Sequence, residues 1–399
     1  MYDILLKNAF VVDPSQGINK KTSIAIREGR IAAIDEKLSE EESLSTFELG
    51  GKIVTPGLID IHCHVDSDFS FLGLPADDIG INAGVTLLCD AGTSGCANFP
   101  MFRKNMENSK SKSDIFCFLN FGRTGLIGIP EICSDIDIDF EKSRAVIEEN
   151  RDIIKGVKVR ITEHLAEGIG FPAIEKAKKL ADAVGMPLMV HIGETRPRKG
   201  LKDPLDDLSR ATLGLMEKGD ILSHYVTWEP GGVILADGTI YPELEPAWKR
   251  GVVLDPCHGL NHFCFNTARH AIESGLIPTV ISTDMATIVK PSAQSMPVVM
   301  SKFLMLGLTL EQVVEMATIN PARTLGEEDK RGSLKPGRIA DITVIELKQG
   351  QFPFMDHRGG SVMTGEVLLE PYMVLKTGRP FPAWSRYHLP RRDLVEAKI

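Results

Sequence analysis

The sequence lacks the features that mark secreted and membrane proteins. Its 399 residues hold seven cysteines, which are scattered without a Cys-x-x-Cys pair and do not suggest a disulfide framework. No apolar stretch approaches the length needed to span a membrane, and the N-terminus has neither a basic start nor a long apolar core. We therefore expect a cytoplasmic protein that has no signal peptide and no membrane partner.

The sequence also lacks a basic surface signal. The net charge is −9 and no run of lysines or arginines occurs, which argues against a nucleic-acid partner. A hydrophobic content of 43% and a charged content of 25% are typical of a globular protein. A small-molecule substrate is the expected partner.

The two ends of the chain are rich in predicted β-strands. Residues 1–55 contain apolar runs at 4–6 and 10–12 and a hairpin over 23–34, and strands are predicted again at 341–345, 367–369 and 372–376. Because β structure brackets the middle of the chain, we predict that residues 1–55 and 335–399 pair into one small β-sandwich domain.

The middle of the chain alternates short apolar runs with amphipathic segments. Helices are predicted at 140–154, 173–184 and 267–274, with another that starts at Thr309 and ends at Asn320-Pro321. The eight runs lie at 58–61, 85–89, 115–119, 157–161, 187–190, 221–223, 252–254 and 278–281. This order is typical of βαβ units, and eight units close a TIM (β/α)8 barrel, so the fold class is α/β with a barrel over 56–334.

Ionisable residues recur at the ends of these runs. The active site of such a barrel lies where its strands end, and residues from five runs would meet there. They are His62 and His64 after the first run, Lys158 in the fourth, His191 after the fifth, His224 after the sixth and Asp284 after the eighth. Side chains two apart on a strand share a face, so His62 and His64 can bind one cation together.

Each of these residues also has an ordinary structural interpretation. A single histidine at a strand end is more often a hydrogen-bonded structural group, and Asp284 alone could cap the next segment. Cys63 should face away from the two histidines and pack in the core. The shared topological position of all six residues favours a metal site over six separate structural roles.

Lys158 is the least expected of the six, because an ammonium inside a barrel is costly unless it is paired. Period two places Lys158 and Arg160 on one face of the strand and Val157 and Val159 on the other. Reaction with carbon dioxide would convert the amine into a carbamate, whose two oxygens can bridge two cations. The alternative is a salt bridge from Lys158 to a carboxylate such as Asp90.

Taken together, these motifs resemble the amidohydrolase superfamily, on the branch of dihydroorotases, hydantoinases and amidohydrolase/deacetylase enzymes. The resemblance rests on 56–64, Gly156-Val157-Lys158, the two later histidines, Asp284, and the 320–326 and 337–341 segments. It implies two divalent cations, zinc first among them, bridged by N6-carboxylysine at Lys158. His62, His64 and Asp284 would hold one cation, and His191 and His224 the other. The resemblance alone also implies a homo-oligomer.

The resemblance implies hydrolysis by a hydroxide shared between the cations, with Asp284 as the catalytic proton carrier. We expect an amide or ester of N-acyl or acetyl type as the substrate. Cyclic amide or amidine hydrolysis, as in dihydroorotases or adenine and adenosine deaminases, is the alternative. A catalytically inactive structural relative is the alternative of another class, although such relatives lose the ligand set.

Four further positions bear on substrate choice. Dihydroorotases of this family place an arginine two residues after the second histidine, where this sequence has Asp66. The loop 255–263 resembles the Gly-His-Gly loop of the amidohydrolase/deacetylase group, so His258 is a candidate substrate contact. Arg160 and Arg198 are candidates for pairing with a substrate carboxylate, although Arg160 can equally orient neighbouring groups and Arg198 can be solvated.

Overall fold

The computed structural model describes residues 1–65, 68, 70–194, 199–357 and 359–384. Its strands are β1 (Tyr2–Asp13), β2 (Ile18–Arg27), β3 (Arg30–Ile34), β4 (Ser43–Glu48), β5 (Ile53–Pro56), β6 (Leu58–Cys63), β7 (Val85–Gly95), β8 (Asp114–Asn120), β9 (Ile154–Arg160), β10 (Leu188–His191), β11 (Ile221–Ser223), β12 (Val253–Asp255), β13 (Ile342–Met355), β14 (Val362–Lys376) and β15 (Arg379–Pro382). Its helices are α1 (Ala76–Ile79), α2 (Phe99–Ser109), α3 (Phe140–Glu149), α4 (Glu163–Glu167), α5 (Phe171–Val184), α6 (Lys202–Leu215), α7 (Leu244–Arg250), α8 (Phe265–Glu273), α9 (Lys290–Ala293), α10 (Met296–Met305), α11 (Leu310–Ala317) and α12 (Ile319–Thr324).

One sheet is built from both ends of the chain. Its eight strands run in the order β15-β14-β13-β5-β1-β2-β3, with β4 beside β1. Strand β13 pairs antiparallel with β5, Val344 opposite Val54, and this pairing joins the two ends. A separate apolar cluster that includes Leu6, Val11 and Leu375 packs on this sheet. The prediction of a separate terminal β unit is confirmed at the level of one mixed sheet.

The second sheet is parallel and positions the site. Its order is β12-β11-β10-β9-β8-β7-β6, and these seven strands coincide with the first seven apolar runs of the sequence. Parallel strands need crossover connections, and α-helices supply most of them here. A parallel, TIM-like sheet is therefore confirmed.

The eighth predicted run does not form a regular strand. Residues 278–285 instead make scattered backbone hydrogen bonds to both edges of the parallel sheet. On one side, the backbone N–H of Thr279 donates to the carbonyl of Leu254 at 2.9 Å. On the other side, the backbone N–H of Asp284 donates to the carbonyl of His62 at 2.7 Å. The irregularity has two causes: Pro278 lacks an N–H, and Asp284 has a φ of 51°, which breaks strand geometry.

The helix predictions hold with local corrections. Helix α3 ends at Glu149 and not at the predicted Ile154, which is the first residue of β9. Thr309 caps α11 as predicted: its Oγ1 accepts the N–H of Gln312, whose side chain accepts the N–H of Thr309. Asn320-Pro321 does not end a helix but lies in the first turn of α12, where no N–H is needed.

Among the residues that the structure describes, none of the helices combines the length and the apolar character that crossing a membrane requires.

Candidate metal centre

A cavity opens at the carboxyl ends of the parallel strands. Five of the six predicted ligands line it, together with Arg160, His262, Glu194 and several apolar side chains. The lining residues are His62, His64, Leu72, Ala91, Leu126, Lys158, Arg160, His191, Gly193, Glu194, Leu260, His262, Asp284, Ala286, Ile288 and Val289. The sixth, His224, lies directly behind them, its ring centroid 4.3 Å from that of His191 and 5.3 Å from that of His62.

His62 of β6 and His64, which directly follows that strand, both face Asp284. Nε2 of His62 lies 3.5 Å from Oδ1 of Asp284, and Nε2 of His64 lies 3.1 Å from the same oxygen. The strand geometry thus delivers both rings to one carboxylate, as period two predicts.

Neighbouring hydroxyls set the tautomer of each of these rings. Ser223 donates its hydroxyl to Asp255 at 3.2 Å, so its oxygen is free to accept Nδ1–H of His62, also at 3.2 Å. Thr93 likewise donates to Asp90 at 2.7 Å, so Oγ1 of Thr93 accepts Nδ1–H of His64 at 2.9 Å. These bonds leave Nε2 of both rings unprotonated.

This tautomer creates a conflict that a cation resolves. Nε2 of His64 and Oδ1 of Asp284 are then two hydrogen-bond acceptors only 3.1 Å apart. Two lone pairs at this distance repel each other unless a proton or a metal ion lies between them. The pair therefore fits a bound divalent cation.

A second cluster lies on the other side of the cavity. The donor atoms of His191, His224 and His262 all lie within 4.8 Å of one another. Nδ1 of His224 donates to the carbonyl of Cys257 at 2.8 Å, which leaves Nε2 unprotonated. That Nε2 is buried and has no hydrogen-bond partner, a costly arrangement that a metal ligand removes.

Backbone strain marks the same place. His224, Cys257 and Asp284 have φ values of 65°, 32° and 51°, in the left-handed region that side chains rarely adopt. Such strain costs about 1–3 kcal/mol at each residue and persists where the surroundings enforce it. Gly259, at a φ of 63°, is also required: a Cβ there would lie 3.2 Å from both Asp284 and His224.

Lys158 lies at the centre of the site and is almost completely buried. Its Nζ donates to Nε2 of His62 at 3.3 Å. Burial lowers the pKa of Lys158 to about 8, which increases the fraction of neutral amine at physiological pH. Asp90 is not its partner, because that carboxylate accepts hydrogen bonds from Thr93 and Val65.

Burial favours the neutral form of four imidazoles of the site. Burial lowers the pKa of His62 and of His262 to about 4, and it lowers the pKa values of His191 and His224 well below the usual range. Burial acts to raise the pKa of Asp284, but the contact with His64 and the neighbouring His62 and His224 bring it well below its usual range. Neutral imidazoles beside an ionised carboxylate are the donor set that zinc prefers.

Arg160 lines the cavity but is already paired. Its guanidinium forms an ion pair with Glu131 at 2.5 Å, and Glu131 also accepts a hydrogen bond from Asn120 at 2.8 Å. Burial opposes the charge of Arg160, but Glu131 and Glu194 outweigh it and hold the pKa of Arg160 above its usual value. A permanent positive charge therefore lies at the cavity wall.

The structure places His258 away from the cavity. This side chain is buried and does not line the cavity. Its Nδ1 donates to the carbonyl of Gly259 at 3.0 Å, and its Nε2 accepts from Nζ of Lys302 at 2.6 Å. The ring stacks on Phe263 with a centroid distance of 4.9 Å. The positive φ of Gly259 turns the loop, so that His262 rather than His258 reaches the cavity.

Several residues of the site were not predicted. His262 lies in the loop 255–263 and does not end a strand. Thr93 and Asp255 act through hydrogen bonds that no short sequence pattern encodes. The one available signal is the spacing in β12: Val253 and Asp255 lie two apart and so share a face, and the apolar Val253 marks that face as inward. The proposed roles of Asp66 and Arg198 fall on residues outside the described parts of the chain.

Comparisons with known proteins bear on the family and the fold of the chain. The amidohydrolase family matches residues 53–199 and 264–378. A deacetylase of Agrobacterium fabrum is 32% identical over 403 residues, covering 98% of this chain and 94% of that protein. A deacetylase of Enterococcus faecalis is 28% identical over 362 residues, covering 90% and 93%. The crystal structure of a dihydroorotase superposes with a TM-score of 0.85 at 30% identity, covering 98% of this chain and 100% of that one. The crystal structure of an adenine deaminase superposes with a TM-score of 0.85 at 27% identity, covering 96% of this chain and 100% of that one.

Proposed function

The chain belongs to the amidohydrolase family, and we propose that within it the protein is a two-metal hydrolase that removes an acyl group, acetyl foremost, from an amide or ester of a small metabolite. Its family and its deacetylase relatives identify it as a hydrolase of carbon–nitrogen bonds. The deacetylases of Agrobacterium fabrum and Enterococcus faecalis favour the acetyl group.

One observation carries the metal-dependent part of this proposal. The buried Nε2 of His224 has no partner, while its Nδ1 is committed to the carbonyl of Cys257. We assign His62, His64 and Asp284 to one cation and His191 and His224 to the other. Divalent cations bound there supply Lewis acidity towards a carbonyl group and lower the pKa of water.

Lys158 is proposed to carry the carbamate. Its burial favours the neutral amine, which is the form that adds to carbon dioxide, and the product replaces a repelling cation with an anion. The carbamate oxygens would extend from Nζ into the space between the two groups of ligands. N6-carboxylysine at Lys158 is thus the proposed bridging group.

Asp284 is the proposed proton carrier. Its carboxylate lies beside His62 and His64 and keeps a low proton affinity. It can therefore accept a proton from the attacking water and release it to the leaving nitrogen or oxygen. The strained backbone at Asp284 holds the carboxylate in this position.

The rest of the cavity is proposed to select the substrate. Arg160 supplies a positive charge for a polar or anionic end, and His262 supplies a ring nitrogen at the same wall. Leu126, Leu260 and Ile288 give an apolar side to the cavity. This combination suits a small molecule with one polar end and one apolar end.

The closure of the barrel, the domain limits, the cellular location and the oligomeric state are also proposals. We infer that residues 278–285 act as the eighth element of a closed (β/α)8 barrel, since they bond to both edges of the parallel sheet. The β-sandwich, the domain limits of 1–55 plus 335–399 and 56–334, the cytoplasmic location, the small-molecule partner and the homo-oligomer stay predictions from the sequence.

A second activity has specific support. The dihydroorotase and adenine deaminase structures both superpose on this chain with a TM-score of 0.85. Cyclic amide or amidine hydrolysis is therefore the alternative. An inactive relative is disfavoured, since all six ligand positions are filled.

A substrate panel with zinc-loaded enzyme tests the proposal. N-acetyl amino acids and acetyl esters should turn over, dihydroorotate and adenine should not, and chelation should abolish the activity. The Asp284→Asn variant should lose activity by roughly 10²–10⁴-fold because the proton carrier is gone. Asp207→Asn, at a carboxylate 78% exposed, is the matched control and should match the wild type. Turnover that survives both chelation and Asp284→Asn would refute the proposal.

A further inference from the structure

We propose that His262 is a catalytic residue whose Nε2–H donates a hydrogen bond to the acyl carbonyl oxygen of the substrate, and that it is not a third imidazole ligand of a cation. This inference rests on the proposed function and deepens it. His262 lines the cavity, and one of its ring nitrogens lies within 4.8 Å of a ring nitrogen of His191 and of His224. This proximity suits a ligand and a donor equally, and the tautomer of the ring separates the two roles.

The side chain of Thr227 sets the tautomer of His262. Its Oγ1 lies 3.2 Å from Nδ1 of His262 and accepts the backbone N–H of Glu229 at 3.3 Å. Thr227 is fully buried, and in the described part of the chain Nδ1 of His262 is the one acceptor within reach of its hydroxyl proton. Because a buried hydroxyl without an acceptor is costly, Thr227 donates to Nδ1 of His262.

This arrangement reverses the tautomer found in the ligand rings. The hydroxyls beside His62 and His64 donate to carboxylates and therefore accept Nδ1–H from those rings. Burial lowers the pKa of His262 to about 4, so the neutral ring carries a single proton, and Nδ1 is an acceptor. The proton is then on Nε2. A protonated ring nitrogen has no lone pair for a metal ion, so Nε2 of His262 is a donor and not a ligand.

The Nε2 edge of His262 faces the reacting region of the cavity. Nδ1 is directed at Thr227, which does not line the cavity, so the opposite edge of the ring forms the wall. Cδ2, the atom bonded to Nε2 on that edge, lies 3.0 Å from the position that a Cβ on Gly259 would take. Oδ2 of Asp284 lies 3.2 Å from the same position. The donor and the proposed proton carrier therefore flank one small region.

A donor at this point suits the step in which negative charge develops. Attack by the oxygen of water forms a carbon–oxygen bond, transfers a proton to Asp284 and moves the carbonyl electron pair onto the carbonyl oxygen. The Nε2–H of His262 stabilises that oxygen as it becomes negative, and the proton stays on His262 throughout. A neutral imidazole is an effective donor to a carbonyl group in such a step.

Two substitutions of His262 test the assignment in the full-length, zinc-loaded enzyme, with the N-acetyl amino acid that it hydrolyses fastest as the substrate. His262→Phe keeps a flat ring without an N–H and should lower kcat by roughly 10²–10³-fold, with a much smaller change in KM. His262→Gln, whose amide can donate, should have an intermediate kcat. Competition with a chromogenic chelator should give the same zinc affinity for the wild type and both variants. His164→Gln, at a ring 37% exposed and outside the cavity, is the control and should match the wild type.

Thr227 is a positioning residue in this assignment, and its hydroxyl is tested separately. Thr227→Val removes the donor to Nδ1 and allows the ring to carry its proton there, so kcat should fall while zinc affinity stays the same. Thr227→Ser keeps the hydroxyl and should restore the kcat of the wild type. Equal kcat values for the Val and Ser variants would overturn the assigned tautomer.

The outcomes separate the inference from the proposed function. Weaker zinc binding by both His262 variants would make the ring a ligand and overturn the inference, and so would an unchanged kcat. If His262→Phe does not fold, His262→Gln and the Thr227 pair give the same decision.

If the wild type hydrolyses no acetyl compound, the proposed function fails and a binding measurement decides the inference. Methylphosphonate is the probe, because its tetrahedral oxygens resemble the attacked acetyl group. Calorimetry should show roughly 10–100-fold weaker binding to zinc-loaded His262→Phe than to the zinc-loaded wild type. Equal binding, or no binding by the wild type, would refute the donor.

Discussion

At the residue scale, the site depends on which nitrogen of each imidazole is left free. His62, His64 and His224 each donate Nδ1–H to a fixed oxygen, and each therefore points an unprotonated Nε2 into the site. The chain thus establishes the metal-binding tautomers before any cation arrives. Loss of such a hydrogen-bond partner of a ligand typically lowers metal affinity by about 10–100-fold.

Thr93→Val tests this role of the hydroxyl. Removing Oγ1 leaves Nδ1 of His64 without its acceptor, so zinc affinity should fall by roughly 10–100-fold. Competition with a chromogenic chelator measures the dissociation constant. Thr86→Val is the matched control, because Thr86 is buried in the same strand but bonds only to the carbonyl of Leu58, far from the ligands. Equal zinc affinities for the two variants would contradict the assignment.

The sequence was most informative where chemistry coincides with topology. His191, His224 and Asp284 were predictable because each ends an apolar run, and strand ends meet at one face of a parallel sheet. His262 and Thr93 were not predictable, because their positions depend on the path of a loop and on a hydrogen bond. The position of His258 away from the cavity lining was not predictable either, because its partner, Lys302, lies 44 residues further along the chain.

At the element scale, the loop after β12 connects the parallel sheet to the cavity. Cys257 and Gly259 both have positive φ values, and the chain reverses between them. As a result, His258 is buried away from the cavity, whereas His262 lines the cavity. The loop is anchored by Lys302 of α10, whose Nζ bonds to His258 and to the carbonyls of Ser292 and Met355. Its conformation is therefore set from outside the site.

Gly259→Ala tests the close approach of this loop. The new Cβ would be strained at a φ of 63° and would lie 3.0–3.2 Å from His262, Asp284 and His224. We expect weaker zinc binding and a loss of more than 1 kcal/mol of stability, measured by urea unfolding. Gly326→Ala is the control, since its φ of 67° brings similar strain while its Cβ would meet no atom within 4 Å. Identical zinc affinities in both variants would contradict the prediction.

Lys302 gives the loop a pH-dependent contribution to stability. Burial lowers the pKa of Lys302 from 10.5 to about 7, although the nearby Asp356 opposes this shift. Between these values the unfolded chain holds a proton that the folded chain has released, so the folded state gains stability as the pH rises. Below about pH 7 both states are protonated and the gain disappears.

Lys302→Met should remove this dependence. The free energy of unfolding of the wild type, relative to the variant, should increase between pH 7 and 9 in urea titrations. His258 is the other titratable group in contact, and burial keeps its pKa well below the usual range, so it does not change charge in this interval. A difference that stays constant across the interval would show that the lysine has no such shift.

Prediction of the elements failed where the backbone is irregular. Seven apolar runs became strands, but the run at 278–281 did not, because Pro278 cannot donate and Asp284 is held at a positive φ. Asn320-Pro321 was expected to end a helix, yet Thr318 starts a new one in which Pro321 is harmless. Hydrophobic pattern identifies buried segments; it does not resolve this local geometry.

At the scale of the whole molecule, the two sheets are tied together near the site. Lys302 joins the loop after β12 to the carbonyl of Met355 in β13 of the terminal sheet. The largest apolar cluster contains residues of both sheets, such as Leu58 of β6 and Ile345 of β13, in addition to a smaller cluster on each sheet. Metal binding at the mouth of the parallel sheet should therefore stabilise the structure as a whole.

Zinc should raise the thermal midpoint of the wild type, because a ligand that binds only the folded state stabilises it by mass action. Scanning calorimetry with increasing zinc and bicarbonate measures the shift. A variant that replaces both His191 and His224 by alanine should lose most of it. His164→Ala should keep it, since that ring is 37% exposed and outside the cavity. An equal shift in all three proteins would indicate binding elsewhere.

The proposed hydrolase depends on a carbamate at Lys158 that joins two cations held by His62, His64, His191, His224 and Asp284. Anomalous X-ray diffraction from crystals grown with zinc and bicarbonate is the decisive measurement. We expect two zinc peaks among the imidazoles and carbamate density continuous with Nζ of Lys158. An unmodified lysine and no zinc peak within the cluster would contradict it.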